Sequence, residues 1–211
     1  EHWSLNIERQ IFPTVLWEVA YAGSRGIHVM IPLPLNEVQP GLGSQASRRL
    51  IQPLNNITAT TIFAPRNMST YHSMQNKVVK RFSGGLQFLF SYTYGKALDF
   101  GGSAGSGGGS TGGPQTITCI SCGRGASGYD VRHRAVTSYV YELPFGKGKR
   151  WLADNAVLGK IVGGWQMSGI STLTTGRPFN VSLADGVNNG APSGPNRIES
   201  GKLDNPDPVL W

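Results

Sequence analysis

Nowhere in these 211 residues do eighteen apolar side chains run together, so no transmembrane helix is predicted. Charge is also scarce. Charged residues make up 15% of the chain, below the roughly 25% usual in soluble globular domains. That deficit fits a surface not wholly turned to water, and it fits a loop-rich secreted protein too. Cysteine is limited to Cys119 and Cys122, too few sulfurs for a closed structural zinc site. No βαβ pattern surrounds the pair, which argues against a thioredoxin-like role. In an oxidising compartment a local Cys119–Cys122 disulfide is the leading expectation, with free thiols as the alternative. Acidic residues number 12 against 19 Lys and Arg, for a formal charge of +7. Those basic residues are scattered apart from Arg132-His133-Arg134 and Lys147-Gly148-Lys149-Arg150, and no nucleic-acid-binding motif accompanies them, so no nucleic acid is expected as a partner. Initiator Met and leader are missing as well: Glu1 opens inside a strand-like pattern, and the expectation is a processed chain or a piece of something longer.

What is present is a period of two. In Leu86–Leu98 the residues Leu86, Phe88, Phe90, Tyr92 and Tyr94 share one face, with Gln87, Leu89, Ser91 and Thr93 opposite. Alternation of that kind suits a half-buried strand and no helix. Its partner, Tyr71 to Phe82, places Met74, Asn76, Val78, Lys80 and Phe82 on one side, and Ser83-Gly84-Gly85 joins the two. A first pair runs 3–23, with Trp3, Leu5 and Ile7 alternating against Ser4, Asn6 and Glu8, and Val15, Trp17, Val19 and Tyr21 on one side of its second strand; Pro13 belongs in the link because it has no N–H for a ladder. A third pair falls in 131–183. There Ala135, Thr137, Tyr139 and Tyr141 share a face, as do Trp165, Met167, Gly169, Ser171 and Leu173, and Arg177–Leu183 extends the last strand past Gly176.

Between the pairs lie long loops, 24–70 with five prolines, 99–130 rich in Gly and Ser, and 184–211. Short turns at one end and long loops at the other is the arrangement of an outer-membrane barrel. The expected fold is therefore all-β, with about six antiparallel up-and-down strands of a transmembrane β-barrel over 1–211 and long Gly/Ser/Pro-rich loops. The aromatics Trp3, Trp17, Tyr21, Tyr92, Tyr94, Tyr139, Tyr141 and Trp165 fall on the faces expected to point outward, where amphipathic rings sit at headgroup depth. Glu18, Lys77, Arg81, Arg134 and Glu142 fall on the inward faces. Lys80 and Arg9 break this scheme unless they lie near an interface and snorkel. A soluble secreted sandwich, serving in binding or adhesion, is the alternative, because aromatics alternate in sandwich cores as well.

Five segments, SLNIERQI (4–11), VAYAGSRGIHV (19–29), QNKVVKRFSGGLQFLFSYTYGKALD (75–99), YDVRHRAVTSYVYELPFGKGKRW (129–151) and GGWQMSGISTLTTGRPFNV (163–181), cover about half of the chain. Together they resemble the barrel of large TonB-dependent outer-membrane receptors, in particular the Oar-like group with an N-terminal carboxypeptidase-regulatory-like domain. The resemblance implies a barrel of about twenty-two strands in the bacterial outer membrane, with import driven by an inner-membrane energy-coupling complex. On that reading the partners are membrane lipid, the remainder of the barrel and a plug domain, through which alone the energy-coupling complex would act. The plug-bearing and barrel-closing segments are expected outside this stretch, since six strands fall short of the roughly eight that close a barrel. The solute is not legible.

No catalytic, cofactor-binding or metal-binding residue is expected, and the chain is read as a barrel wall without chemistry of its own. Gly101-Gly102-Ser103-Ala104-Gly105 and Gly108-Gly109-Ser110-Thr111-Gly112 satisfy the nucleophile-elbow pattern of a Ser hydrolase, but any Gly/Ser run produces such matches, and no helix pattern follows them. Asp130 and His133 are close in sequence, which is not triad geometry. Gly41-Leu42-Gly43-Ser44-Gln45-Ala46 matches a dinucleotide fingerprint only loosely, without the strand before it or the helix after it.

Overall fold

The segments that alternate in polarity all become strands. The computed structural model describes residues 1–39, 41–51, 61–100, 116–146, 149, 151 and 163–178. Among them, β1 (His2–Phe12), β2 (Val15–Pro34), β3 (Thr61–Ser83), β4 (Leu86–Asp99), β5 (Gly125–Ala126), β6 (His133–Glu142) and β7 (Gln166–Thr174) form one antiparallel sheet. The order is β1-β2-β3-β4-β6-β7, each long strand beside the previous long one, as in an up-and-down meander. The β3–β4 turn has positive φ at both central residues, Gly84 and Gly85, the left-handed pair that a two-residue turn matched to strand twist requires. Pro13 and Thr14 form the β1–β2 turn at the same end.

Register fixes the two faces. Leu5 lies opposite Tyr21, Tyr21 opposite Met74, Met74 opposite Tyr94 and Tyr94 opposite His133. A second row runs Arg9, Trp17, Val78, Phe90, Thr137 and Ser171, and a third runs Val15, Lys80, Phe88, Tyr139 and Gly169. A single slip in any pair would exchange the faces of a strand. None occurs across the rows from Trp3 to Arg9, so the aromatic side is continuous from β1 to β7.

Two expectations about the loops need correction. Residues 24–34 and 61–70 are not loop: β2 and β3 continue as a two-stranded ribbon beyond the first and fourth strands, with Ile31 opposite Ala64 and Leu33 opposite Ile62. Proline argues against a strand only where both neighbours need its N–H. Past Arg25 the ribbon has left β1, and before Thr70 it has not yet met β4, so Pro32, Pro34 and Pro65 occupy edges. A bulge with two register shifts carries the chain into the ribbon, and His28 takes a positive φ of 57° there. The stretch 99–130 likewise contains structure, a 3-10 segment Ile117–Gly123 and the short β5. In the third pair the strands are His133–Glu142 and Gln166–Thr174; Gly176, Arg177 and Pro178 leave the sheet, and 179–183 lie outside the described residues, as does the loop 184–211.

The buried apolar residues, Ile31, Leu33, Val38 and Ala97, sit at the long-loop end and not between layers of sheet. Glu37 anchors this small core. Its carboxylate accepts from the Ile117 N–H and the Gln39 side-chain amide and also contacts the Thr116 hydroxyl, so it holds the 3-10 segment against the ribbon. Arg49 donates to the Asn36 carbonyl beside it. The column next to β4 is filled first by β5 and then by β6, and Asp130 bridges the break. Its carboxylate accepts from the Ala97 N–H at 2.7 Å and from the Arg132 guanidinium at 3.2 Å. With Asp130 only 5% exposed, Asp130→Ala leaves that amide without its acceptor and is expected to cost about 1.5–3 kcal/mol. Asp130→Asn keeps an acceptor oxygen and should cost less, which urea unfolding of the protein refolded in lipid vesicles will measure.

Candidate functional site

The two faces of the sheet differ chemically along its whole width, and that difference is the functional feature of the molecule. Every second residue on the apolar side is aliphatic or aromatic for most of its length: Leu5, Ile7, Trp17, Val19, Tyr21, Met74, Val78, Phe88, Phe90, Tyr92, Tyr94, Tyr139, Tyr141, Met167 and Leu173. Many of these are exposed, including Trp3, Leu5, Ile7, Trp17, Tyr21, Met74, Phe90, Met167 and Leu173. A contiguous apolar surface of that extent on a water-soluble monomer would be an aggregation site. Among the described residues no second layer of sheet covers it.

Rings recur in successive rows of this face, from Trp3 and Tyr94 through Tyr92, Trp17 and Phe90 to Tyr139 and Tyr141. At the long-loop end Trp3 lies across Gly23, so closely that a Cβ there would run into the indole. Tyr139 covers Gly169 in the same way toward the other end. Glycine opposite an aromatic ring lets the ring cover bare backbone, which stabilises an otherwise weak strand position. Lys80 and Arg9, which break the apolar pattern, are both placed toward the short-turn end. Lys80 extends its ammonium to the carbonyls of Ser83 and Leu86 in the β3–β4 turn, each at 2.8 Å, and Arg9 lies three residues before Phe12 in the last part of β1. Snorkelling of this kind keeps the stem on the apolar face and the charge beyond it.

The opposite face is polar. A hollow of about 800 Å³ on it is lined by Tyr71, Gln75, Thr93, Arg134, Thr172 and Thr174, among others, and so spans β3, β4, β6 and β7. Glu18 accepts from the Asn6 amide and from Lys77 Nζ, both at 3.0 Å, in a ladder across three strands. Glu8 stands directly opposite Glu18, so Lys77 also offsets a like-charge pair. Glu142 pairs with Lys149 at the turn end. One row on this face is not polar. Leu16, Val79, Leu89 and Ile170 are linked through successive register partners with only Ser138 between them.

A single sheet with an apolar face rich in aromatics and a polar face that holds a broad hollow is the wall of a transmembrane barrel. The family described as an outer membrane beta barrel domain matches residues 1–209. The chain belongs to that family. No curated protein and no solved structure matches it. Family membership assigns the chain to an outer membrane and gives it the role of barrel wall; in such a wall the apolar face meets lipid and the polar face the lumen. No described helix is long and apolar enough to cross a membrane, which leaves crossing by strands untouched.

The residues singled out from sequence end up in different places. Cys119 and Cys122 are bonded within the 3-10 segment, with Cα atoms 5.4 Å apart. Ser103 and Ser110 lie outside the described residues. Asp130 and His133 do not pair: Asp130 holds Ala97 and Arg132, whereas His133 Nδ1 meets the Tyr92 hydroxyl at 2.8 Å. Gly41 and Gly43 sit in a surface turn followed by the three-residue 3-10 turn Ala46–Arg48, so nothing there cradles a pyrophosphate. Sequence reasoning missed the roles of Asp130, Glu37, His72 and His133, because each depends on a partner 33 to 80 residues away or on a cross-strand diagonal.

The two faces can be tested against each other. Phe90→Arg puts a cation on the lipid side near mid-strand and should cost about 2–4 kcal/mol. Ser91→Arg, its neighbour on the lumenal side, should change stability little. Equal costs in urea unfolding from vesicles would overturn the assignment of the faces.

Proposed function

We propose that this chain is a wall segment of a bacterial outer-membrane, TonB-dependent-type receptor whose lumen holds a plug domain. The observation that carries this reading is the apolar row Leu16, Val79, Leu89 and Ile170 on the otherwise polar face. A barrel that encloses only water gains nothing from an aliphatic row in its lumen, whereas a plug domain buries it at roughly 25 cal/mol per Å². The polar ladder of Asn6, Glu18 and Lys77 beside that row suits the same partner, since plugs are held by hydrogen bonds as well as by packing. The resemblance of 75–99, 129–151 and 163–181 to the Oar-like receptors supports the reading independently.

Closing such a barrel takes more strands than the seven described, and β1 and β7 each present one edge with no partner among the described residues. Remaining barrel strands would cover those edges. The energy-coupling complex would act on the plug and not on this wall. The long loops, with Cys119 and Cys122 clamped in one of them, would stand in the oxidising space outside the cell and meet the solute first.

The test uses the full-length protein that carries these residues. With Leu89→Cys, a water-soluble thiol reagent should label position 89 poorly while the plug is in place and several-fold faster once the plug is deleted. Equal labelling in both forms, or a full-length protein with no plug domain, overturns the proposal.

A further inference from the structure

On the lipid-facing side, toward the long loops, four basic side chains gather on neighbouring strands. His72 and Lys96 are register partners on β3 and β4. Arg25 of β2 lies two residues beyond Gly23, the partner of His72, on the same face. His133 of β6 is opposite Tyr94. All four are exposed. Glu1 is bonded to Arg25 through the backbone, and the Asp130 carboxylate near Lys96 is taken up by the Ala97 amide and Arg132.

The two imidazoles are held by the same device. Tyr21 pairs with Met74, and its hydroxyl reaches diagonally to Nδ1 of His72 at 2.7 Å. Tyr92 pairs with Ala135, and its hydroxyl reaches diagonally to Nδ1 of His133 at 2.8 Å. In both units the histidine stands two residues before the partner of the tyrosine. With Nδ1 engaged by the phenol in both units, Nε2 is the ring nitrogen left for whatever lies against the face. Trp3 and Tyr94 pack against these rings at 5.9 and 5.1 Å between centroids and limit their rotation. Tyrosine and tryptophan collect at headgroup depth, so these imidazoles stand where lipid phosphates lie, and directly along the strands come Leu5, Ile7, Val19 and Met74, which suit acyl chains.

We propose that Arg25, His72, Lys96 and His133 form a headgroup site for a phosphate-bearing anionic lipid in the leaflet on the long-loop side. Guanidinium and ammonium supply the charge, and the two oriented imidazoles supply directed hydrogen bonds. The four side chains stand exposed on the open face of the sheet, so a small anion from water is little enclosed there, while a lipid is retained through its chains. This proposal rests on the reading of this face as lipid-facing.

The experiment uses full-length protein in an uncharged detergent, with bound lipid counted by native mass spectrometry. Phosphatidic acid should be retained and diacylglycerol with the same chains should not. The Arg25→Gln/Lys96→Gln double variant should bind phosphatidic acid about thirty-fold more weakly. Tyr21→Phe with Tyr92→Phe should weaken it less, and Arg9→Gln, at the turn end of the same face, should leave it unchanged. Heat-sensitive migration of the folded barrel on gels reports that each variant is folded. Equal retention of both lipids, or full retention by the folded double variant, overturns the proposal, and so does displacement by millimolar inorganic phosphate. A protein that stays monodisperse without detergent would instead sink the membrane reading itself, and that is seen before any lipid is added.

Discussion

In hydrocarbon there is no water to satisfy a backbone amide, so every N–H and C=O of a spanning segment must find its partner inside the protein. That requirement organises this chain more than any side-chain contact does. It explains why the strands are long and hold their register, why the Pro13-Thr14 and Gly84-Gly85 turns are so tight, and why the few buried apolar residues lie at the long-loop end and not between layers of sheet. Side chains then sort themselves onto two faces at no further cost to the backbone. The molecule needs no interior of its own, because lipid lies on one side and the lumen on the other.

The same requirement accounts for Asp130. Where β5 hands over to β6, the column beside β4 lacks one ladder acceptor, and a carboxylate supplies it. A side chain that substitutes for backbone in a sheet is expensive to bury unless its second oxygen is also occupied, and Arg132 occupies it. Glu37 does comparable work on the 3-10 segment. These two acids show how the loop end is built: buried carboxylates organise irregular chain, while regular strands below need none.

Much of the fold could be read from sequence because a period of two survives without knowledge of neighbours. Leu86 to Tyr94 on one side and Gln87 to Thr93 on the other are legible within nine residues, and the register kept every such strand on the expected face. Proline was misleading for a physical reason. Its missing N–H matters only if another strand needs it, and whether β1 or β4 extends beside Pro32 or Pro65 is not written in residues 24–70. The lumenal apolar row was hidden for another reason: its members, Leu16, Val79, Leu89 and Ile170, come from four separate strands. Tyr–His diagonals are likewise invisible until the offset between strands is known.

The ribbon of β2 and β3 rises for about nine residues after β1 has ended, or about 30 Å of stiff, twisted chain. Its root is clasped on one side by Trp3 over Gly23 and on the other by Ser73 buried beneath the sheet. Substitutions at the exposed positions of the ribbon, such as Phe63, therefore leave the paired strands of the wall untouched, whereas those at Ile31 or Leu33 reach the buried residues beside them.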